Sequence, residues 1–111
     1  MIAIIDYGMG NLRSVQKALE QNGAKTSITQ DPQAIQQAQK VVLPGVGAIK
    51  PAMEKLAALG IIPTIKQVVK AGKPFLGICL GLQLLFETSE EGGDIQALSL
   101  LPGSVKRFTR L

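Results

Sequence analysis

The sequence has 111 residues, is 46% hydrophobic and carries a net charge of +4. That apolar content supports a packed core and argues against wholesale disorder, and no apolar run approaches the roughly 20 residues that a bilayer span needs. The lysines are scattered from Lys17 to Lys106, with a local cluster only at Lys106, Arg107 and Arg110, and one tyrosine, three phenylalanines and no tryptophan make no stacking platform, so no nucleic-acid or membrane partner is expected.

Taken in chain order, Ile2 to Ile5 reads as a buried strand. It is too short, and lacks the basic start, to be a secretion signal, so a cytoplasmic protein is expected. Tyr7 to Asn11 is a loop. Leu12, Val15 and Leu19 recur at helical spacing, and Gly23 closes that helix. Ala24 to Thr29 suits a second strand. Asp31 then caps a short helix with Pro32 in its first position. Val41 to Leu43 is a third strand, stopping at Pro44. Helices follow over about Ile49 to Leu59 and Ile62 to Lys70, the second started by Pro63 and closed by Gly72. Phe75 to Ile78 is a fourth strand, running through Cys79 into an apolar helix from Leu80 to Glu87. Beyond a Pro102-Gly103 turn, Val105 and Phe108 alternate as a late strand.

Strands separated by helices imply parallel pairing with right-handed crossovers, and their nearly continuous apolar character implies cover on both faces. The expected fold is α/β and flavodoxin-like, a mostly parallel sheet with helices on both faces. Sites in such sheets form beyond the carboxyl ends of the strands. Three loops fall there: Tyr7 to Asn11, Pro44 to Ala48, and Gly77 to Gly81.

The last of these is the sharpest feature. Gly77-Ile78-Cys79-Leu80-Gly81 reads strand, glycine, nucleophile-type residue, glycine, helix, the cysteine form of a nucleophile elbow. Side chains two residues either side of the central position would collide in so tight a turn, and Gly77 and Gly81 remove them. Cys79 would stand at a helix N-terminus, where negative charge is favoured. The Leu80 amide would point at the same spot and supply half of an oxyanion hole. The same residues also fit a buried cysteine between glycines that merely allow tight packing. A single cysteine excludes an internal disulfide and a multi-thiolate metal site, and the absence of histidine argues against ordinary zinc and iron sites.

The second loop adds to the elbow. Pro44-Gly45-Val46-Gly47 ends a neighbouring strand in a glycine-bracketed turn. Amides at Val46 or Gly47 can supply the other half of the hole, with glycines letting that peptide flip into place; a plain strand-to-helix turn is the alternative. A dinucleotide site fits less well, because Gly8-Met9-Gly10-Asn11 lacks the third glycine of that fingerprint.

Together these segments resemble class I glutamine amidotransferases, and among them the glutaminase subunits of histidine biosynthesis. The resemblance runs through Asp6-Tyr7-Gly8-Met9-Gly10-Asn11-Leu12-Arg13-Ser14, Leu43-Pro44-Gly45-Val46-Gly47-Ala48, Gly77 to Glu87, Ser89-Glu90-Glu91-Gly92 and Leu101-Pro102-Gly103. It implies that Cys79 attacks the side-chain amide of glutamine, forming a thioester and releasing ammonia. It implies oxyanion donors at Leu80 and at Val46 or Gly47, and glutamine contacts from Gly47, Gln83 and Glu91, with Glu91 toward the α-ammonium. It implies a (βα)₈-barrel cyclase as the partner that receives the ammonia, with Asn11 a candidate interface residue, and no cofactor. Without it, Gln83 reads as an exposed helix residue, Glu91 as a solvated loop acid and Asn11 as a helix cap. The opening motif favours the histidine-pathway subunits over amidotransferases that feed chorismate, carbamoyl phosphate or nucleotide synthesis.

The resemblance also implies a histidine and a glutamate from a C-terminal segment. This sequence has no histidine and ends soon after its fourth strand. Residues 1–111 are therefore expected to be the N-terminal part of a single amidotransferase domain, catalytically incomplete alone, that either self-associates or takes a partner that completes the fold. A non-catalytic binding module on the same scaffold is the competing reading.

Overall fold

The computed structural model describes residues 1–91 and 93–106. Gly92, and Arg107, Phe108 and Arg110 in the expected terminal cluster and late strand, lie outside the described residues.

Four parallel strands form the main sheet: β1 (Ile2–Ile5), β2 (Thr26–Thr29), β3 (Lys40–Leu43) and β4 (Phe75–Gly77), in the order β2-β1-β3-β4. Ile4 pairs with Ile28 and Val42, and Leu43 with Gly77. All four strands therefore end on one edge. The helices between them are α1 (Leu12–Gln21), α2 (Pro32–Gln37), α3 (Ile49–Ala58) and α4 (Ile62–Lys70). The chain steps from β1 to β2 in one direction and from β2 through β3 to β4 in the other. Right-handed crossovers then put α1 on one face and α2, α3 and α4 on the opposite face. This is the expected flavodoxin-like arrangement.

Local chemistry accounts for the boundaries. Asp31 caps α2 by accepting from the Gln33 N–H at 3.0 Å, with Pro32 leading the helix. At the end of α1, Gly23 takes φ +88°, and the Gly23 and Ala24 N–H groups return to the carbonyls of Glu20 and Leu19. That closure uses Ala24, so β2 begins at Thr26 rather than Ala24.

The core lies between the sheet and α2 to α4. Ile5, Val41 and Leu43 from the strands meet Ile35, Ile49, Leu56, Ile65 and Val68 from the helices. The other face is less sealed. α1 buries no residue fully. Leu76, which registers beside Val42 on that face, is 51% exposed. An apolar groove of about 290 Å³, lined in part by Ile2, Leu19, Val42 and Leu76, runs along it. Helices lie on both faces, but β4 is left open on this one, because α1 packs against β2 at the other side of the sheet.

Two further departures concern the C-terminal part. The apolar stretch after Cys79 is a single helical turn, α5 (Leu80–Gln83), not a helix to Glu87. The Leu85 and Phe86 N–H groups tighten onto Leu82 O and Gln83 O, the Glu87 N–H leaves the helix for Gly103 O, and the segment 97–101 binds the carbonyls that follow. Leu98 N–H donates to Leu84 O, Ser99 N–H to Phe86 O, and the Leu100 and Leu101 N–H groups to Leu85 O, all at 2.8–2.9 Å. The tail also builds a small mixed sheet, β5 (Thr88–Ser89), β6 (Ile95–Gln96) and β7 (Ser104–Val105), in the order β6-β5-β7. Of these only β7 falls within the expected late strand.

Candidate functional site: the loops beyond the sheet edge

The strand ends bring the three loops together. The hydroxyl of Tyr7 donates to the Pro44 carbonyl at 2.6 Å. A Cβ on Gly10 would lie 3.3 Å from the backbone of Gly45, and one on Gly47 would lie 3.0 Å from the tip of Met9. The Leu80 N–H donates to Gly45 O at 3.1 Å, which locks the second loop to the start of α5.

Cys79 stands between β4 and α5 and is exposed to solvent. Its backbone has φ 54° and ψ −118°. Apart from Ser99 it is the one non-glycine residue with positive φ among the described residues. Its ψ falls far outside the left-handed well, so Cys79 is held in a strained conformation that local sequence preference would not choose. The flanking glycines explain how the chain tolerates this. A Cβ on Gly81 would sit 1.8 Å from Leu43 O, and one on Gly77 2.8 Å from Gly81 O. Both positions must lack side chains for α5 to press onto β3 and β4.

The expected oxyanion donors are only partly free. The Leu80 N–H, read from the sequence as aimed at the reacting carbonyl, is engaged by Gly45 O. In this conformation the turn at Pro44–Gly47 satisfies that amide. The N–H groups of Val46 and Gly47 find no protein acceptor among the described residues, and Val46 is 59% exposed. The long-helix dipole expected behind Cys79 is also absent, since α5 is one turn; any stabilisation of charge there falls to individual amides.

Gln83 lies one turn beyond the elbow, its N–H donating to Cys79 O at 3.2 Å, and is half-buried. Glu91 is not brought to the elbow by any described hydrogen bond. Its N–H donates to Ser89 Oγ at 3.1 Å, which ties it to the small sheet. Asn11 caps α1, accepting from the Ser14 N–H at 3.3 Å, and is exposed. With Asp6, Arg13 and Val46 it lines an open cleft of about 650 Å³ at the strand-end edge. Sequence reasoning gave Tyr7 no separate role, although it is the only tyrosine and sits inside the loop singled out. No group of three or more potential metal-ligating residues clusters among the described residues, and none of the described helices is long and apolar enough to cross a membrane.

A parallel α/β sheet with a cysteine on a strained strand-to-helix turn at its carboxyl edge defines a protein built like the nucleophile-elbow enzymes. The chain belongs to the class I glutamine amidotransferase family, whose family model matches residues 3–105. It is 57% identical over 108 residues to an imidazole glycerol phosphate synthase subunit HisH from Syntrophotalea carbinolica, covering 97% of this chain and 52% of that protein. It is 59% identical over 107 residues to a subunit of the same name from Moorella thermoacetica, covering 96% of this chain and 51% of that protein. The chain thus spans about half the length of the curated relatives it matches. Among solved structures, a glutamine amidotransferase superposes with a TM-score of 0.78 at 19% identity, over 99% of this chain and 59% of that one. A putative peptidase E from Listeria monocytogenes superposes at 0.74 with 15% identity, over 90% of this chain and 62% of that one. At those identities the likeness concerns the fold alone.

Proposed function

We propose that residues 1–111 are the N-terminal part of a single amidotransferase domain, the nucleophile-bearing portion of a glutaminase subunit of imidazole glycerol phosphate synthase. The observation that carries this reading is the backbone of Cys79, exposed and strained at a turn whose flanking positions admit only glycine. In this scheme the Cys79 sulfur attacks the side-chain amide carbon of glutamine. The tetrahedral intermediate collapses to a thioester and ammonia, and water then releases glutamate. Gly47, Gln83 and Glu91 hold the substrate, with Glu91 toward its α-ammonium.

The oxyanion is held by the amides of Leu80 and of the Val46–Gly47 segment. A peptide's C=O and N–H point in opposite directions. Reversing the Gly45–Val46 peptide therefore takes Gly45 O off the Leu80 N–H and turns the Val46 N–H toward the same place. One rotation frees one donor and delivers the other. The exposure of Val46, and a glycine on either side, support this.

The sequence holds no histidine. In this reading the base that takes the thiol proton, and returns one to the departing ammonia, lies outside these residues, and the chain by itself does not turn over. The partner is a (βα)₈-barrel cyclase in the cytoplasm that takes up the ammonia, and Asn11, at the strand-end edge, faces it. The exposed Leu76 on edge strand β4 and the half-exposed Leu82 give the chain a surface for self-association or for a segment that extends the sheet. Sedimentation should show concentration-dependent association; a clean monomer at high concentration contradicts it.

The test of the nucleophile is direct. A glutamine analogue with an electrophilic side chain should add once to the chain, and peptide mapping should place the adduct on Cys79. Modification that is no faster than with an electrophile lacking the glutamine skeleton would leave only the competing reading, a non-catalytic module.

A further inference from the structure

The oxyanion turn is anchored from a direction that the proposed chemistry does not use. Tyr7 is 2% exposed, and its hydroxyl donates to the equally buried carbonyl of Pro44 at 2.6 Å. The next carbonyl along, Gly45 O, is the acceptor of the Leu80 N–H. A Cβ on residue 45 would lie 2.3 Å from the Tyr7 hydroxyl oxygen, so the phenol fills the space that any side chain there would take. Gly10, from the same loop as Tyr7, closes on the Cα and N of Gly45 from another side. Past that point the restraint stops: Val46 is exposed and its N–H has no acceptor among the described residues.

We infer that Tyr7 is a positioning residue for the oxyanion turn, its hydroxyl pinning the Pro44–Gly45 peptide so that rotation is confined to the Gly45–Val46 peptide beyond it. This rests on the glutaminase reading above. Without the pin, the Pro44 carbonyl is buried with no donor and both peptides move. The turn then spends less time in either of the two states that matter, one with Gly45 O on the Leu80 amide, the other with the Val46 amide in its place. Burial pushes the phenol well above the usual tyrosine range, so the hydroxyl stays protonated and a donor throughout the neutral range.

Residue-resolved hydrogen exchange in the full chain tests the pin without glutamine. In Tyr7→Phe the Leu80 N–H should exchange about tenfold faster. The Ile78 N–H, which donates to Leu43 O just before Pro44, should keep its protection. A fluorinated tyrosine at the same position keeps the ring and hydroxyl but donates more strongly, and should slow Leu80 exchange; it serves if the phenylalanine variant does not fold. In the full-length enzyme with its synthase partner, Tyr7→Phe should lower kcat for glutamine hydrolysis while leaving KM nearly unchanged, because the oxyanion exists only in the transition state. Equal acceleration at Leu80 and Ile78, or no change at Leu80 in either variant, overturns the positioning role. The glutaminase reading fails on a different result, turnover that survives Cys79→Ala, so the two failures are separable.

Discussion

Gly81→Ala should abolish the native fold or destabilise it by more than about 4 kcal/mol. Gly81 lies in α5 with ordinary negative φ, so alanine is acceptable to its backbone and, by helix propensity, would be favoured by about 1 kcal/mol. The collision decides the outcome. The added carbon would sit 1.8 Å from Leu43 O and 2.8 Å from Leu43 C, against a comfortable separation of about 3.5 Å. Both are backbone atoms of a buried central strand, so no rotamer change relieves the overlap. Either α5 lifts from the sheet, taking Leu80 and Leu84 out of the core, or β3 is displaced from its partners. Gly60→Ala is the control. Gly60 has φ +69° but nothing within 4 Å of a new Cβ, so only the conformational cost of about 1 kcal/mol applies. Urea unfolding of both variants checks the contrast. A Gly81→Ala protein as stable as Gly60→Ala would mean that the packing of α5 on β3 is wrong.

At Cys79 stability and activity should part company. The proposed glutaminase role requires that, in a full-length subunit with its synthase partner, Cys79→Ala and Cys79→Gly each lower glutamine hydrolysis by roughly a thousandfold or more, since both remove the proposed nucleophile. Their stabilities should differ. The strain at φ 54° and ψ −118° comes from the Cβ, which alanine keeps and glycine lacks. Relief of about 1–3 kcal/mol, less the roughly 0.5–1 kcal/mol that glycine costs through the flexibility of the unfolded chain, leaves Cys79→Gly about 1 kcal/mol more stable than Cys79→Ala. The sulfur is exposed, so its loss removes little burial from either variant. Denaturant midpoints of the two, with unchanged slopes, give the comparison. Equal stability would show that the backbone of Cys79 is not strained, and the elbow geometry would lose its main support.

The strong sequence signals were local or periodic. Apolar runs at Ile2–Ile5 and Val41–Leu43 marked buried parallel strands, because both faces of such strands leave water. Asp31-Pro32 and Gly23 marked helix ends, because capping geometry depends on a few adjacent residues. Gly77 and Gly81, two residues either side of Cys79, announced the elbow, since their spacing is itself the steric requirement.

What the tertiary structure alone decided involves groups far apart in the chain. The stretch 84–87 has helical composition, yet its carbonyls accept from the amides of residues 97–101 and the Glu87 N–H donates to Gly103 O, and such distant partners leave no periodic trace. The three short strands beyond it are too brief for an alternating pattern. The Leu80 amide, free on any local reading, is held by Gly45, thirty-five positions earlier. The tie from Tyr7 to Pro44 is equally non-local. A sequence encodes which residues seek burial and how each turn must bend; which carbonyl meets which amide across a folded sheet edge depends on the packed geometry of all its strands at once.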